Sequence, residues 1–256
     1  MDAYSKTVAY WQEQQVAGTG DLDRVLHNFR ILFAYHSGKI ENDEIAYHDT
    51  REIFENGRVC GYTGSPRALF EQQNQKLCYE FLKQKIVEKT PLTVALIREI
   101  HEALTSGTYD ERRFIEQGER PGEYKKHDYV TGRLEVGSLS EDVENDLTAL
   151  VDEVNEASND NPLAVGAYFH ARFEYIHPFA DGNGRVGRTL LNYILMIRNH
   201  PPLIIYDEDK ADYYSALEAY DAHEDLSMMI LFVKHQTVKT WEKTLERAHK
   251  RTANGN

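Results

Sequence analysis

PLAVGAYFHARFEYIHPFADGNGRVGRTLLNYILMIRN, residues 162–199, is the stretch on which the fold turns. Its two ends, 162–175 and 185–199, carry apolar residues at three-to-four spacing, the period of an amphipathic helix. Between them lies a turn containing Gly182-Asn183-Gly184, where the backbone can bend tightly and approach a ligand closely. The spacing Gly182-x-Gly184-x-x-Gly187 matches a dinucleotide-binding fingerprint, but that motif needs a strand before it inside a βαβ unit. Here a helix comes first, and no parallel-strand pattern occurs along the chain. The stretch therefore reads as helix, tight loop, helix.

The same period recurs at 21–37, 67–89, 91–105, 140–157, 209–222 and 226–248, the last as one helix or two. The expected fold class is all-α. One region departs from it. Residues 118–138, with Gly118, Pro121, Gly122, Gly132 and Gly137, contain HDYV and RLEV around Thr131-Gly132, which predicts a small β-hairpin leaning on the helices.

Bulk properties narrow the function. With 29 Lys and Arg against 42 Asp and Glu, the net charge of −13 argues against a nucleic-acid partner, because phosphate contacts need clustered cations. Cys60 and Cys78 match no metal spacing and read as reduced thiols of a cytoplasmic protein. The start MDAYSKTVAYW has no leader pattern, and the apolar run 190–197 is too short to span a bilayer, so no membrane association is expected.

The loop at 177–188 carries the chemistry. Unpaired N–H groups where a helix begins near Arg185 form an anion site. At roughly 100° per residue, Arg185, Arg188 and Asn192 share one face of that helix, opposite Val186, Leu190, Ile194 and Ile197. Asp181 offers a hard oxygen suited to Mg²⁺ shared with phosphates. His177 has the side chain whose ordinary pKa suits proton transfer near neutrality, and nearby arginines and the helix start should keep its ring neutral. A base, a metal ligand, an anion cradle and a cationic clamp make a phosphoryl-type transfer site.

HPFADGNGRVGR fills every fixed position of the Fic signature His-x-Phe-x-Asp/Glu-Gly-Asn-Gly-Arg-x-x-Arg, and the chain resembles the Fic family over about residues 90–235. The resemblance implies a helical Fic fold with a hairpin flap, and a protein adenylyltransferase using ATP and Mg²⁺. On that resemblance His177 deprotonates a Ser, Thr or Tyr hydroxyl of a target protein, which attacks the α-phosphorus and releases pyrophosphate. Asp181 holds Mg²⁺. Gly182, Asn183 and Gly184 cradle the phosphates, Arg185 clamps them, Arg188 reaches the γ-phosphate and Phe179 is buried to fix the loop. Lys126, His127, Tyr129 and Val130 lie on the flap that aligns the target segment by strand addition. Asn192, Tyr213 and Tyr214 are further candidates for the nucleotide pocket. Removal of AMP by the same site, or transfer of another nucleotide such as UMP, is the alternative reading.

Ser37-Gly-Lys-Ile-Glu41-Asn42 resembles the family's inhibitory motif, Ser/Thr-x-x-x-Glu-Gly/Asn. Ser37 and Glu41 are one helical turn apart. The resemblance implies that Glu41 pairs with Arg188 and occupies the place the γ-phosphate needs. The expected organisation is an N-terminal helical region, 1–65, carrying this motif, and a core, 66–256, packed with it as one unit. The target protein stays open, with the chain itself and a homo-oligomer among the options. His170 and Glu174, four apart, read as structural rather than as a metal pair.

Overall fold

The computed structural model describes residues 1–130 and 137–254, and the elements among them are helical. In chain order they are α1 (Ala3–Glu13), α2 (Thr19–Val25), α3 (His27–Glu41), α4 (Tyr47–Asn56), α5 (Pro66–Val87), α6 (Val94–Thr105), α7 (Val143–Glu156), α8 (Pro162–Ile176), α9 (Asn183–Ile197), α10 (Lys210–His223) and α11 (Ser227–Asn254). A π-helical turn, Arg112–Glu116, follows α6.

Local chemistry sets the boundaries. Asn161 caps α8 by accepting from the Ala164 N–H, and Pro162 takes the first turn, where a missing N–H costs nothing. Ser65 with Pro66 opens α5 in the same way, and Thr93 caps α6. The helix expected over 21–37 is broken at Leu26 (φ −94°, ψ 11°), and its second half runs on to Glu41, so Ser37 and Glu41 sit in the last turns of α3. The 226–248 pattern is a single helix. The helices α1 and α4 were not expected from the sequence. Each buries little, Thr7 and Trp11 in one and Thr50, Ile53 and Phe54 in the other, too short an apolar stripe for the period to register.

Helix α9 is central. Apart from Gly184, its residues from Asn183 to Leu195 are all buried. One side meets Ile97, Ile100 and Leu104 of α6 and Phe169 and Phe173 of α8 through Val186, Leu190 and Ile194. The other side, through Leu191 and Leu195, meets Tyr213 of α10, Val233 of α11 and Ile40 of α3. A Cβ on Gly166 would strike Leu191 and Leu195, and one on Gly187 would strike Phe173 and Glu174. Contacts that climb one helix while descending the other mean that α8 and α9 run antiparallel.

The hairpin expectation is corrected in part. Among the described residues of 118–138 there is no strand; Thr131, Gly132 and the arm that follows, through residue 136, lie outside the described residues. The described backbone spends its donors elsewhere. The Lys125 N–H donates to Pro178 O at 2.9 Å and the Lys126 N–H to the Glu119 carboxylate at 3.0 Å. Among the described residues no helix is long and apolar enough to cross a membrane.

Candidate active site

The loop between α8 and α9 is bent by two left-handed residues. His177 ends α8 at φ 51°, and Gly182 precedes α9 at φ 82°. A Cβ on Gly182 would collide with Thr105, so glycine is required there on both conformational and steric grounds. Just after the second bend, Asn183 folds its amide back on the loop. Its Oδ1 accepts from the Phe179 N–H at 3.0 Å and its Nδ2 donates to Phe179 O at 2.7 Å. Phe179 is fully buried, and its ring stacks on His101 with centroids 3.7 Å apart and planes 2° apart.

His101 of α6 completes the loop's support. Its Nδ1 accepts from the Gly122 N–H at 2.8 Å, which leaves Nε2 protonated and donating to Asp181 O at 3.0 Å. Burial pushes this imidazole down to about 4, so both bonds persist at neutral pH.

A cleft of about 350 Å³ opens above the loop. It gathers His177, Asp181, Gly182, Asn183, Gly184 and Arg185 with Glu41 from α3 and Tyr129 and Val130 from the segment after Gly118. His177 is held down to about 4, first by burial and second by the nearby Lys125 ammonium. A ring with that pKa is neutral at pH 7 and able to take a proton. The expected cause, arginines and the helix start, is replaced by desolvation and a lysine.

Asp181 meets a crowd of cations. Its Oδ2 lies 2.8 Å from Arg67 Nη2 and 3.8 Å from Arg113 Nη1, and its Oδ1 lies 3.7 Å from Arg185 Nη2. Arg185 is also 3.3 Å from Glu71, a buried carboxylate of α5. Among the described residues the one trio with metal-ligand spacing is His36, Asp207 and Glu208, outside the cleft. A cation at Asp181 would thus take its other ligands from phosphate and water, the habit of Mg²⁺ in nucleotide sites, and the hard donor set fits.

Arg188 is buried behind the cleft wall. It donates through Nε to Ser37 Oγ at 3.0 Å and through Nη2 to Ser37 O at 2.8 Å and to Glu41 Oε1 at 2.9 Å. Glu41 is about one-third exposed and lines the cleft. A Cβ on Gly184 would strike Glu41 and Arg188, so the glycine lets the carboxylate reach over the start of α9. Asn42 donates to Glu71 Oε2 at 3.0 Å.

Several expected residues are placed elsewhere. Asn192 shares a helical face with the arginines, yet its amide bonds both N–H and C=O of Leu203, at 2.8 Å each, and faces a different cavity. Its amide hydrogen bonds are spent on the segment that follows α9, which gives Asn192 a structural contact. Tyr213 is buried with its hydroxyl 2.9 Å from His170 Nε2, and Tyr214 packs beside it with Lys210 over its ring; neither lines the cleft. Lys126 Nζ is spent on Gly118 O and Glu123, and His127 Nδ1 lies 3.0 Å from Glu119.

The sequence reading missed Arg67, Glu71, His101 and Arg113 altogether, and the structure buries Lys125 beside the expected Lys126. Only the i,i+4 spacing of Arg67 and Glu71 gave a signal, and such pairs ordinarily mark a solvated helix face.

The family model described as Fic/DOC family matches residues 91–195. The protein adenylyltransferase Fic of Nematostella vectensis is 28% identical over 232 residues, covering 88% of this chain and 51% of that protein. Its counterpart in Drosophila persimilis is 30% identical over 214 residues, covering 80% of this chain and 39% of that protein. The chain thus spans about half the length of these relatives or less. Among solved structures, Fic-1 from C. elegans superposes with a TM-score of 0.80 at 23% identity, over 97% of this chain and 72% of that one. A Fic domain containing signaling protein from Bacteroides thetaiotaomicron superposes with a TM-score of 0.79 at 24% identity, over 93% and 94%. Both likenesses speak to the fold.

Proposed function

We propose, because the chain matches the Fic/DOC family model over residues 91–195 and resembles protein adenylyltransferases over most of its length, that it is a protein adenylyltransferase carrying AMP from ATP to a Ser, Thr or Tyr hydroxyl of a target protein. The observation that carries this reading is the meeting, in one cleft, of a neutral imidazole, a carboxylate and the open N-terminus of α9. His177 takes the hydroxyl proton as the oxygen attacks the α-phosphorus. The N–H groups at Gly184 and its neighbours, with Arg185, receive the phosphate charge, and pyrophosphate leaves. Asp181 would hold Mg²⁺, which when bound neutralises charge across the α- and β-phosphates. Tyr129 and Val130 wall the side by which a target segment would come in.

On this reading residues 1–65 carry an inhibitory arm and 66–256 the catalytic body. Glu41 bonds the Arg188 guanidinium that a γ-phosphate would use, and so holds ATP out of its productive pose. Self-labelling with radiolabelled ATP tests both halves. Glu41→Gly should raise labelling tenfold or more, and His177→Ala in that background should remove it while ATP binding persists. An unchanged rate in Glu41→Gly sinks the inhibition, and undiminished labelling without His177 sinks the base.

A second reading, hydrolytic removal of AMP, is favoured by one observation: the Glu41 carboxylate lines the same cleft as His177 and can orient a water there. Release of AMP from a modified target by the wild-type protein, lost in Glu41→Gly, is its test.

A further inference from the structure

Four side chains at the cleft wall and beneath it close a ring of alternating charge. Glu71 Oε1 lies 3.0 Å from Arg67 Nε, and Arg67 Nη2 lies 2.8 Å from Asp181 Oδ2. Asp181 Oδ1 lies 3.7 Å from Arg185 Nη2, and Arg185 Nη1 returns to Glu71 Oε1 at 3.3 Å. Two carboxylates and two guanidiniums make the ring neutral. Glu71 is buried away from the cleft and Arg185 is buried in its wall, whereas Arg67 and Asp181 are the more exposed members that line it. Arg113 approaches Asp181 less closely and is tied to Asp110 at 2.6 Å.

We infer that Arg67 is a built-in counter-cation for Asp181, a second latch on the site, which must release the carboxylate before a divalent cation can use it. This rests on reading Asp181 as the metal carboxylate. A small divalent cation sits about 2.0–2.1 Å from its oxygen ligand. A guanidinium already 2.8 Å from the same oxygen both competes for its lone pairs and repels the incoming charge.

The ring also says how the latch opens. Arg67 keeps Glu71 when it lets Asp181 go, so no buried charge is stranded. Glu71 likewise keeps Arg185, and only the two edges at Asp181 break. The other oxygen of Glu71 accepts from Asn42, the residue after Glu41. The end of α3 and the metal-side latch therefore hang from one buried carboxylate, while the Glu41–Arg188 contact is separate from the ring.

Titration with Mn²⁺ alone, counted by electron paramagnetic resonance, tests the latch without any turnover. Arg67→Gln and Arg67→Met are measured side by side, so that loss of fold in one leaves the other to decide. Removing a partly exposed ion-pair partner should tighten Mn²⁺ binding roughly two- to fivefold. Arg67→Lys, which keeps the charge, should stay within about twofold of wild type. In the Glu41→Gly background, Arg67→Gln should lower the Mg²⁺ concentration for half-maximal self-labelling. Mn²⁺ binding that is unchanged or weaker in the folded Gln or Met variant overturns the latch. Asp181→Asn separates the two ideas: if it binds Mn²⁺ as wild type does, the metal reading itself has failed, whereas loss of binding there with no gain in Arg67→Gln condemns the latch alone.

Discussion

Two irregular stretches wall the cleft, and they are held in different ways. The loop 177–182 is fixed by an amide clamp four residues away and by an aromatic stack, with Asn183 on the Phe179 backbone and Phe179 on His101. The described part of 118–130 is gathered around one buried carboxylate. Glu119 accepts from the Lys126 N–H, from the Tyr129 hydroxyl at 2.8 Å and pairs with His127. The first arrangement is packed and sits in the core; the second is electrostatic and sits at the rim. A loop built the first way cannot drift without opening the core, while the neighbouring segment can be released by losing a single charge.

The largest expected effect tests the packed side. Phe179→Ala removes a fully buried ring between α6 and α8 and should cost about 3–5 kcal/mol, read as a lower midpoint in urea unfolding. A cost under about 1 kcal/mol would mean that the loop is not anchored in the core, and the comparison would fail on its stronger side.

The packed side is also the part the sequence discloses. Helix period, the capping Asn161-Pro162 and the Gly182-Asn183-Gly184 turn are all local signals, so α8, the loop and α9 are legible from residues a few positions apart. Asn192 shows the limit of that logic. Its helical face is correctly deduced, but a face does not say what packs on it, and Leu203 does. Glu119 is a lone acidic residue in a glycine-rich run, and Arg67 with Glu71 looks like any surface pair until Asp181 arrives from more than a hundred residues away. Such sites depend on long-range closure, to which periodicity is blind.

A smaller effect tests the rim. Glu119→Gln keeps the shape and one acceptor oxygen but loses the charge that strengthens its hydrogen bonds, about 1–3 kcal/mol for the segment. Hydrogen exchange should quicken roughly tenfold at the Lys126 amide and leave the amides of α8 and α9 unchanged. Equal acceleration in both regions would mean that rim and core open as one unit, and the distinction drawn between them would be lost.

The smallest effect lies where the two stretches touch. Lys125 joins them through its N–H to Pro178 O, and its ammonium is the second cause of the low His177 pKa, after burial. On the proposed reading His177 acts as neutral imidazole, so activity should be lost as pH falls through the folded-state value near 4. Taking away a cation favours imidazolium and must move that value upward. Burial remains in Lys125→Met, so the acid limb of kcat/KM, measured in the Glu41→Gly background, should rise by only about half a pH unit and stay below the ordinary histidine value. The backbone bond to Pro178 survives the substitution, so the shift isolates charge from anchoring. A limb that does not move would place the ammonium outside the reach of the imidazole, and one that jumps to the ordinary value would show that the lysine, rather than the core, keeps the ring neutral.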